Sequence, residues 1–205
     1  MGLNSNVAGA AGVRDERLLA AIGRLPRAVF VPSELAAGAY LDEPVAISHR
    51  QMTTQPPLLA KMVQALQLHG DEKVLEIGTG YGCQTALVAI LAREVRSIEL
   101  CQNMVDAARA SLNAVGVANA TLVGGDGPLG LPDQTPFDAI IITAAFPTMP
   151  PPLEAQLVKG GRLVQPIGAR RPRERAPVPK AGRGAGCQTE HHWRVLRAAL
   201  WRACL

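Results

Sequence analysis

Between Asp71 and Gln165, short apolar runs alternate with helical stretches, and this alternation constrains the fold more than any other feature of the chain. Lys73-Val-Leu-Glu-Ile77 predicts a strand that runs into Gly78-Thr-Gly80-Tyr-Gly82. Gln84 to Ala92 predicts a helix, and Glu94 to Ile98 a second strand closed by Glu99. A helix from Gln102 to Val115 is ended by Gly116, and a third strand, Ala120 to Val123, leads into Gly124-Gly-Asp126-Gly127. Phe137 to Ile142 is a fourth strand, apolar toward its end as a strand covered on both faces should be. Pro152 to Val158 predicts a short helix broken by Gly160-Gly161, before a fifth strand, Arg162 to Gln165. Strands and helices in this order imply right-handed crossovers, hence a doubly wound α/β fold with a mostly parallel sheet.

Upstream, Arg14 to Leu25 predicts an amphipathic helix ended by Pro26. Arg27 to Pro57 is too long and too rich in Gly, Pro and polar residues for a simple linker, and loops of that length are usually functional. Thr54 is a suitable N-cap for a helix reaching about Leu68, with Pro56 tolerated in its first turn. The chain divides into a flexible start (1–13), a patterned body (14–168) and a tail (169–205). Within the body, 14–70 form an extension and 71–168 the α/β core.

Hydrophobic residues make up 48% and charged residues 19%, which excludes disorder for the chain as a whole. No apolar run approaches the roughly 18 residues of a membrane span. The start, MGLNSNVAGAAGVRDE, lacks the basic and apolar regions of a secretory signal. Cys83, Cys101, Cys187 and Cys204 are scattered, so neither a disulfide framework nor a metal knot is expected. The expectation is a cytoplasmic protein with no metal and no membrane partner. The net charge of +4 is unevenly placed: residues 1–169 hold 12 Lys and Arg against 15 Asp and Glu, and residues 170–205 hold 9 against 2. Such a tail could contact phosphates, but its Arg-Pro-Gly-rich text indicates no specific nucleic-acid partner.

In doubly wound folds the ligand sits beyond the carboxyl ends of the strands, at the switch point. Gly78, Thr79, Gly80 and Gly82 lie there. The dinucleotide fingerprint G-x-G-x-x-G would need a glycine where Cys83 stands, so a dinucleotide site is disfavoured. Glu99, closing the next strand, suits a carboxylate that accepts hydrogen bonds from ribose hydroxyls. Asp126, with Gly127 beside it, could accept one from an adenine amino group. Any one acid alone is better read as a solvated strand-end residue; three consecutive strand ends of this kind favour an adenosyl ligand.

The spacing G-x-G-x-G after Glu76 resembles that of methyltransferases using S-adenosyl-L-methionine. Across the body the resemblance narrows to the protein-L-isoaspartate O-methyltransferase family, a class of repair enzymes. It is carried by Val29-Phe-Val31-Pro32, Ala39-Tyr40 with Asp42 and Pro44, Thr54-Gln55-Pro56, and Val74-Leu-Glu-Ile-Gly-Thr-Gly80. Gly125-Asp-Gly127 with Gly130, Pro136-Phe-Asp138, Gln156-Leu157 and Gly160-Gly-Arg-Leu-Val164 with Pro166 and Gly168 complete it. The resemblance implies a class I methyltransferase (Rossmann-like) fold. It also implies S-adenosyl-L-methionine as methyl donor and the free α-carboxylate of isoaspartyl residues in damaged proteins as acceptor. Thr54 stands where the family has its active-site serine, and Gln55, Pro56, Val31 and Tyr40 fall on the substrate side. A monomer is expected.

The chain departs from the family pattern at Ser48 and Arg50, where glycines are usual, and at Tyr81 and Cys83 inside the glycine loop. After Gly168 the family's further strands, which complete the sheet edge, are not recognisable. Only Trp193 to Leu205 reads as a short amphipathic helix. The abrupt change suggests a frameshifted or replaced C-terminus and an incomplete sheet edge. Two other functions follow from these departures: a paralogue that methylates a different acceptor, and an inactive family member serving as a binding module.

Overall fold

The computed structural model describes residues 8, 9, 11–143 and 148–166. The tail from 169 onward and Gly168 lie outside the described residues, as does most of the start. The described part of that start is packed, with Ala8 and Val13 buried in the main core.

Helix α1 (Glu16–Arg24) is N-capped by Asp15, whose carboxylate accepts from the backbone N–H groups of Arg17 and Leu18. The long loop predicted after it contains 3₁₀ turns at Arg27–Phe30 and Ser33–Gly38, followed by a small antiparallel hairpin. Its strands are β1 (Ala46–Ile47) and β2 (Gln51–Met52). Two-residue strands carry too little alternation to be read in advance. Helix α2 spans Pro56–Ala65. Here the sequence expectation is corrected: the N-cap is Gln55, without a side-chain cap bond, so Thr54 is not the cap. The helix also stops short of Leu68, because Gln67 turns to a positive φ of 49°.

The core follows as β3 (Lys73–Ile77), α3 (Cys83–Leu91), β4 (Glu94–Glu99), α4 (Gln102–Ala114), β5 (Ala120–Gly124) and β6 (Phe137–Ile142). Last come α5 (Pro151–Glu154) and β7 (Leu157–Val164). The expected helix over Pro152–Val158 is only one turn, and β7 begins at Leu157 with Gly160-Gly161 inside it. The β6–β7 register shifts between Phe137 and Ala139, and a positive φ of 81° at Gly160 lets the extra residues bulge.

The five parallel strands lie in the order β5-β4-β3-β6-β7. Strand connections reverse direction between β3 and β6, which sets the switch point at their carboxyl ends. Alternation in the central strands divides the core. Val74, Ala139 and Ile141 join Leu18, Leu59 and Leu87 from α1, α2 and α3. Leu75, Ile77, Ile140 and Ile142 join Leu153 of α5 on the opposite face. Among the described residues no helix is long and apolar enough to cross a membrane.

Candidate active site

Three glycines shape the bend after β3, each for a different reason. Gly78 has φ 92°, and a Cβ there would stand 2.1 Å from Thr143 Oγ1. Thr143, just past β6, cannot yield easily, because its hydroxyl donates to the carbonyls of Ile77 (2.9 Å) and Gly78 (3.1 Å). Gly80 has φ 58° and needs that freedom more than space, since its Cβ would meet only Ile47 Cδ1 at 3.8 Å. Gly82, at φ 90°, is the N-cap of α3, and its bare Cα lets Leu112 of α4 approach to 3.3 Å of a Cβ position.

Glu99 forms the floor. It is nearly buried, and its carboxylate accepts from the backbone N–H of Gly80 (2.9 Å) and of Cys101 (3.1 Å). Burial pushes its carboxyl above the ordinary range, and the N–H groups of Gly80, Cys101 and Leu100, with His49, oppose that shift. The two carboxylate oxygens offer about four acceptor sites, so some acceptor capacity remains beyond these backbone bonds. The loop after β5 meets the same end of the sheet, with Gly125 N–H donating to Glu99 O at 3.0 Å. Asp126 is exposed there, its carboxylate bonded to none of the described residues, and Gly127 beside it is buried.

Beneath the bend lies a polar cluster whose role the sequence reading did not assign. Glu76 is fully buried, yet Thr85 Oγ1 (2.5 Å), Ser97 Oγ (2.7 Å) and Gln84 Nε2 (3.0 Å) all donate to it. Ser97 Oγ is in turn 2.6 Å from Thr79 Oγ1, which ties the cluster to the glycine loop. Burial pushes the Glu76 carboxyl up to about 7 despite these donors. The one available signal was an acid inside an otherwise apolar strand, Lys73-Val-Leu-Glu-Ile77. Gln84 Oε1 is buried without a hydrogen-bond partner among the described residues.

The glycine loop opens on a cleft at the switch point. Its lining includes Gly78, Thr79, Gly80, Gln84 and Glu99 together with Arg27, Gln51, Met52, Thr53 and Thr54. The Thr54 hydroxyl makes no hydrogen bond to any described residue, whereas its carbonyl accepts from Arg27 Nη2 at 3.1 Å. The cleft thus joins the expected cofactor loop to the expected catalytic residue. Gly82, Asp126 and Gly127 are not in its lining, nor are Gln55, Pro56, Val31 and Tyr40. Val31 and Tyr40 instead pack in a small cluster with Ala39 and Val45, and Gln55 Nε2 donates to Asp42 O at 3.4 Å. Arg27, at 1% exposure, also lines the cleft, a placement the sequence reading missed. Burial lowers its pKa, with Cys83 and Asp42 opposing.

Comparison with known proteins matches residues 5–192 to the model of the protein-L-isoaspartate(D-aspartate) O-methyltransferase family. That span runs past residue 168, where the resemblance read from the sequence ends. The chain is 50% identical over 159 residues to the protein-L-isoaspartate O-methyltransferase of Myxococcus xanthus, covering 78% of this chain and 75% of the relative. It is 52% identical over 158 residues to that of Anaeromyxobacter dehalogenans strain 2CP-C, covering 77% and 76%. A solved protein-L-isoaspartate O-methyltransferase superposes with a TM-score of 0.70 at 27% identity, covering 80% of this chain and 54% of that one. A putative one from Plasmodium falciparum, in complex with S-adenosyl-L-homocysteine, shares the fold with a TM-score of 0.67 at 19% identity, covering 80% and 83%. The doubly wound fold expected from the alternation is the one observed, and the chain belongs to the protein-L-isoaspartate(D-aspartate) O-methyltransferase family.

Proposed function

We propose that residues 14–168 form a methyltransferase domain that moves a methyl group from S-adenosyl-L-methionine to the free α-carboxylate of L-isoaspartyl residues, initiating repair. The observation that carries this is the single cleft shared by Gly78–Gly80, Glu99 and Thr54. Family membership supports the same reaction.

The residues present fit the methyl donor. Gly80 leaves bare backbone at the bend, Glu99 retains acceptor capacity for ribose hydroxyls, and the buried Gln84 Oε1 lacks a donor. Asp126 and Gly127, beside Glu99 at the sheet end, are assigned to the adenine. The donor, when bound, supplies an electrophilic methyl on a sulfonium. The acceptor carboxylate is ionised at neutral pH, so this chain need not provide a strong base. Its work is alignment and exclusion of water. Thr54 contributes a free hydroxyl as hydrogen-bond donor to a carboxylate oxygen. The β1–β2 hairpin covers the glycine loop, with Ile47 over Gly80. The following backbone nitrogen then attacks the methyl ester without further help, expelling methanol to close a succinimide, and hydrolysis returns some normal aspartate.

The test is incubation with labelled S-adenosyl-L-methionine and an isoaspartyl peptide beside its aspartyl twin. Base-labile label on the isoaspartyl peptide alone is expected. Donor binding without such label would assign the chain to a different acceptor, the reading that Ser48, Arg50 and Thr54 favour. In keeping with the scattered cysteines, we assign the enzyme to the cytoplasm, acting as a monomer; light scattering of the purified chain checks the latter.

A further inference from the structure

Arg27 sits in the first 3₁₀ turn with 1% of its surface exposed. Its Nη1 donates to Ala39 O (2.7 Å) and, at 3.4 Å, to Leu41 O. Its Nη2 donates to Thr53 Oγ1 (3.2 Å) and Thr54 O (3.1 Å). Every one of these acceptors is neutral. They take up the N–H groups but leave the positive charge uncancelled. Among the described residues no carboxylate stands within ion-pair distance of the guanidinium. Asp42, exposed to solvent, makes no ion pair with it, and the Cys83 thiol, pushed up to about 12 chiefly by burial, is neutral at physiological pH.

Buried arginines are ordinarily paired with an anion, because desolvating a lone charge is expensive. Here the unpaired cation lies in the wall of the cleft. Low-dielectric walls focus such a charge into the space they enclose, so the Arg27 wall attracts an anion, while the Glu99 carboxylate that lines the same cleft opposes one. Arginine stays charged throughout the working pH range, so the attraction is permanent.

We propose that Arg27 is a specificity-determining residue for the acceptor: its unpaired charge beside Thr54 selects an ionised carboxylate over the corresponding neutral amide. This rests on the methyl-transfer reading above. The methyl donor also carries a carboxylate, at its amino-acid end. The geometry favours the acceptor's, because Arg27 Nη2 donates to both the Thr53 hydroxyl and the Thr54 carbonyl, the latter on the residue expected to meet the acceptor. Arg27 therefore has two effects: it fixes the carbonyl of Thr54, and it supplies the field in which the Thr54 hydroxyl meets the substrate.

The two effects separate in a binding cycle. The peptide arm compares an isoaspartyl peptide with its α-carboxamide twin in the presence of S-adenosyl-L-homocysteine, using wild type, Arg27→Gln and Arg27→Lys. The cofactor arm compares S-adenosyl-L-homocysteine with its decarboxylated analogue on the same proteins. Wild type is expected to prefer the carboxylate peptide by about tenfold, less than a direct charge-assisted contact would give, because the charge acts through space. Arg27→Gln should erase that preference while leaving the cofactor arm's ratio unchanged. Arg27→Lys should weaken both peptides, because the fork is lost, yet keep most of the preference.

Equal weakening of both peptides in Arg27→Gln, with the preference intact, would show a purely structural residue and overturn the proposal. So would a loss of preference confined to the cofactor arm. If Arg27→Gln does not fold, by circular dichroism, Arg27→Lys decides: a folded lysine variant without carboxylate preference overturns the proposal. If wild type fails to bind the isoaspartyl peptide at all, the methyl-transfer reading falls first. If it binds with the preference and Arg27→Gln keeps it, this inference alone falls.

Discussion

His49 Nε2 and Asn103 Oδ1 stand 2.8 Å apart, joining the turn of the β1–β2 hairpin to the first turn of α4. A second link lies beside it, Ser48 Oγ to Tyr81 OH at 3.3 Å. Ser48 and Tyr81 are two of the chain's departures from its family's pattern, and they touch. Glycines before the Thr-Gln-Pro element would leave the hairpin free to swing; here polar side chains fasten it across the glycine loop. The fastening requires His49 to hold a positive φ of 60°, a conformation uncommon for a residue with a Cβ.

Loosening these links should speed ligand exchange. Tyr81→Phe and Asn103→Ala each remove one hydrogen bond at or near the surface, worth about 0.5–1.5 kcal/mol. Each should therefore accelerate release of S-adenosyl-L-homocysteine by about two- to tenfold with little change in melting temperature. Stopped-flow fluorescence reads the release rate, and unchanged release in both variants would mean that the hairpin does not cover the ligand.

Gly78→Ala should be far more damaging than Gly80→Ala. The first places a Cβ on Thr143 Oγ1 and also forces φ 92°, whereas the second keeps ordinary contact with Ile47. Strained backbone alone costs on the order of 1–3 kcal/mol. Gly80→Ala should lose about that much, and Gly78→Ala should lose more. Adding Thr143→Ala to Gly78→Ala should recover the steric part only. Urea titration of the four proteins checks the order.

Glu99→Ala should weaken binding of the methyl donor by a few kcal/mol at most, since it removes charge-assisted hydrogen bonds. It also leaves Gly80 N–H without its acceptor, so Glu99→Gln is the milder control. Isothermal titration of the two variants measures the loss, and wild-type affinity in Glu99→Ala would refute the ribose assignment.

Thr54→Ser should preserve or raise isoaspartyl methylation, because it keeps the hydroxyl and removes a methyl that restricts χ1. Thr54→Val removes the hydroxyl and keeps the shape, and should lower turnover. Initial rates with the isoaspartyl peptide separate the cases; a clear loss in Thr54→Ser would point to another acceptor.

Glu76 should make stability depend on pH. Its carboxyl is raised from an ordinary 4.5 to about 7, so between those values the folded state holds a proton that the unfolded state has released. Stability from this group is therefore greatest in acid, falls as pH rises from about 4.5 to 7, and is level above that. The fall amounts to about 3 kcal/mol at most. Glu76→Gln cannot ionise and should escape it, gaining on wild type between pH 5 and 8. Turning over the Gln84 amide would present its unpartnered Oε1 to the new donor. Urea titrations at the two pH values give the comparison, and parallel curves for both proteins would contradict the assignment.

The sheet was legible because each strand carries its own period and stop. Phe137–Ile142 appears with the expected bounds, and Glu99 and the three glycines fall where strand ends must bring them. What escaped reading depended on contacts between distant segments. Arg27 looks like any surface arginine until the carbonyls of Ala39, Leu41 and Thr54 fold around it. Asp126, Gly127, Val31 and Tyr40 are motif positions yet stand outside the cleft lining, because a motif fixes order along the chain and not where each residue is placed in space. The Gly160-Gly161 pair predicts a stop, whereas in the structure it lies in a bulge inside a continuing strand.

The placement of β3 has a consequence for biosynthesis. One of its neighbours, β4, follows almost at once, but the other, β6, is made only after α4 and β5. As the polypeptide leaves the ribosome, the future middle of the sheet must wait with Val74–Ile77 exposed along one flank, a template for pairing with another nascent copy. Slow translation between Gly124 and Phe137 would lengthen that wait, so soluble yield should respond to codon choice in this stretch more than anywhere downstream of it.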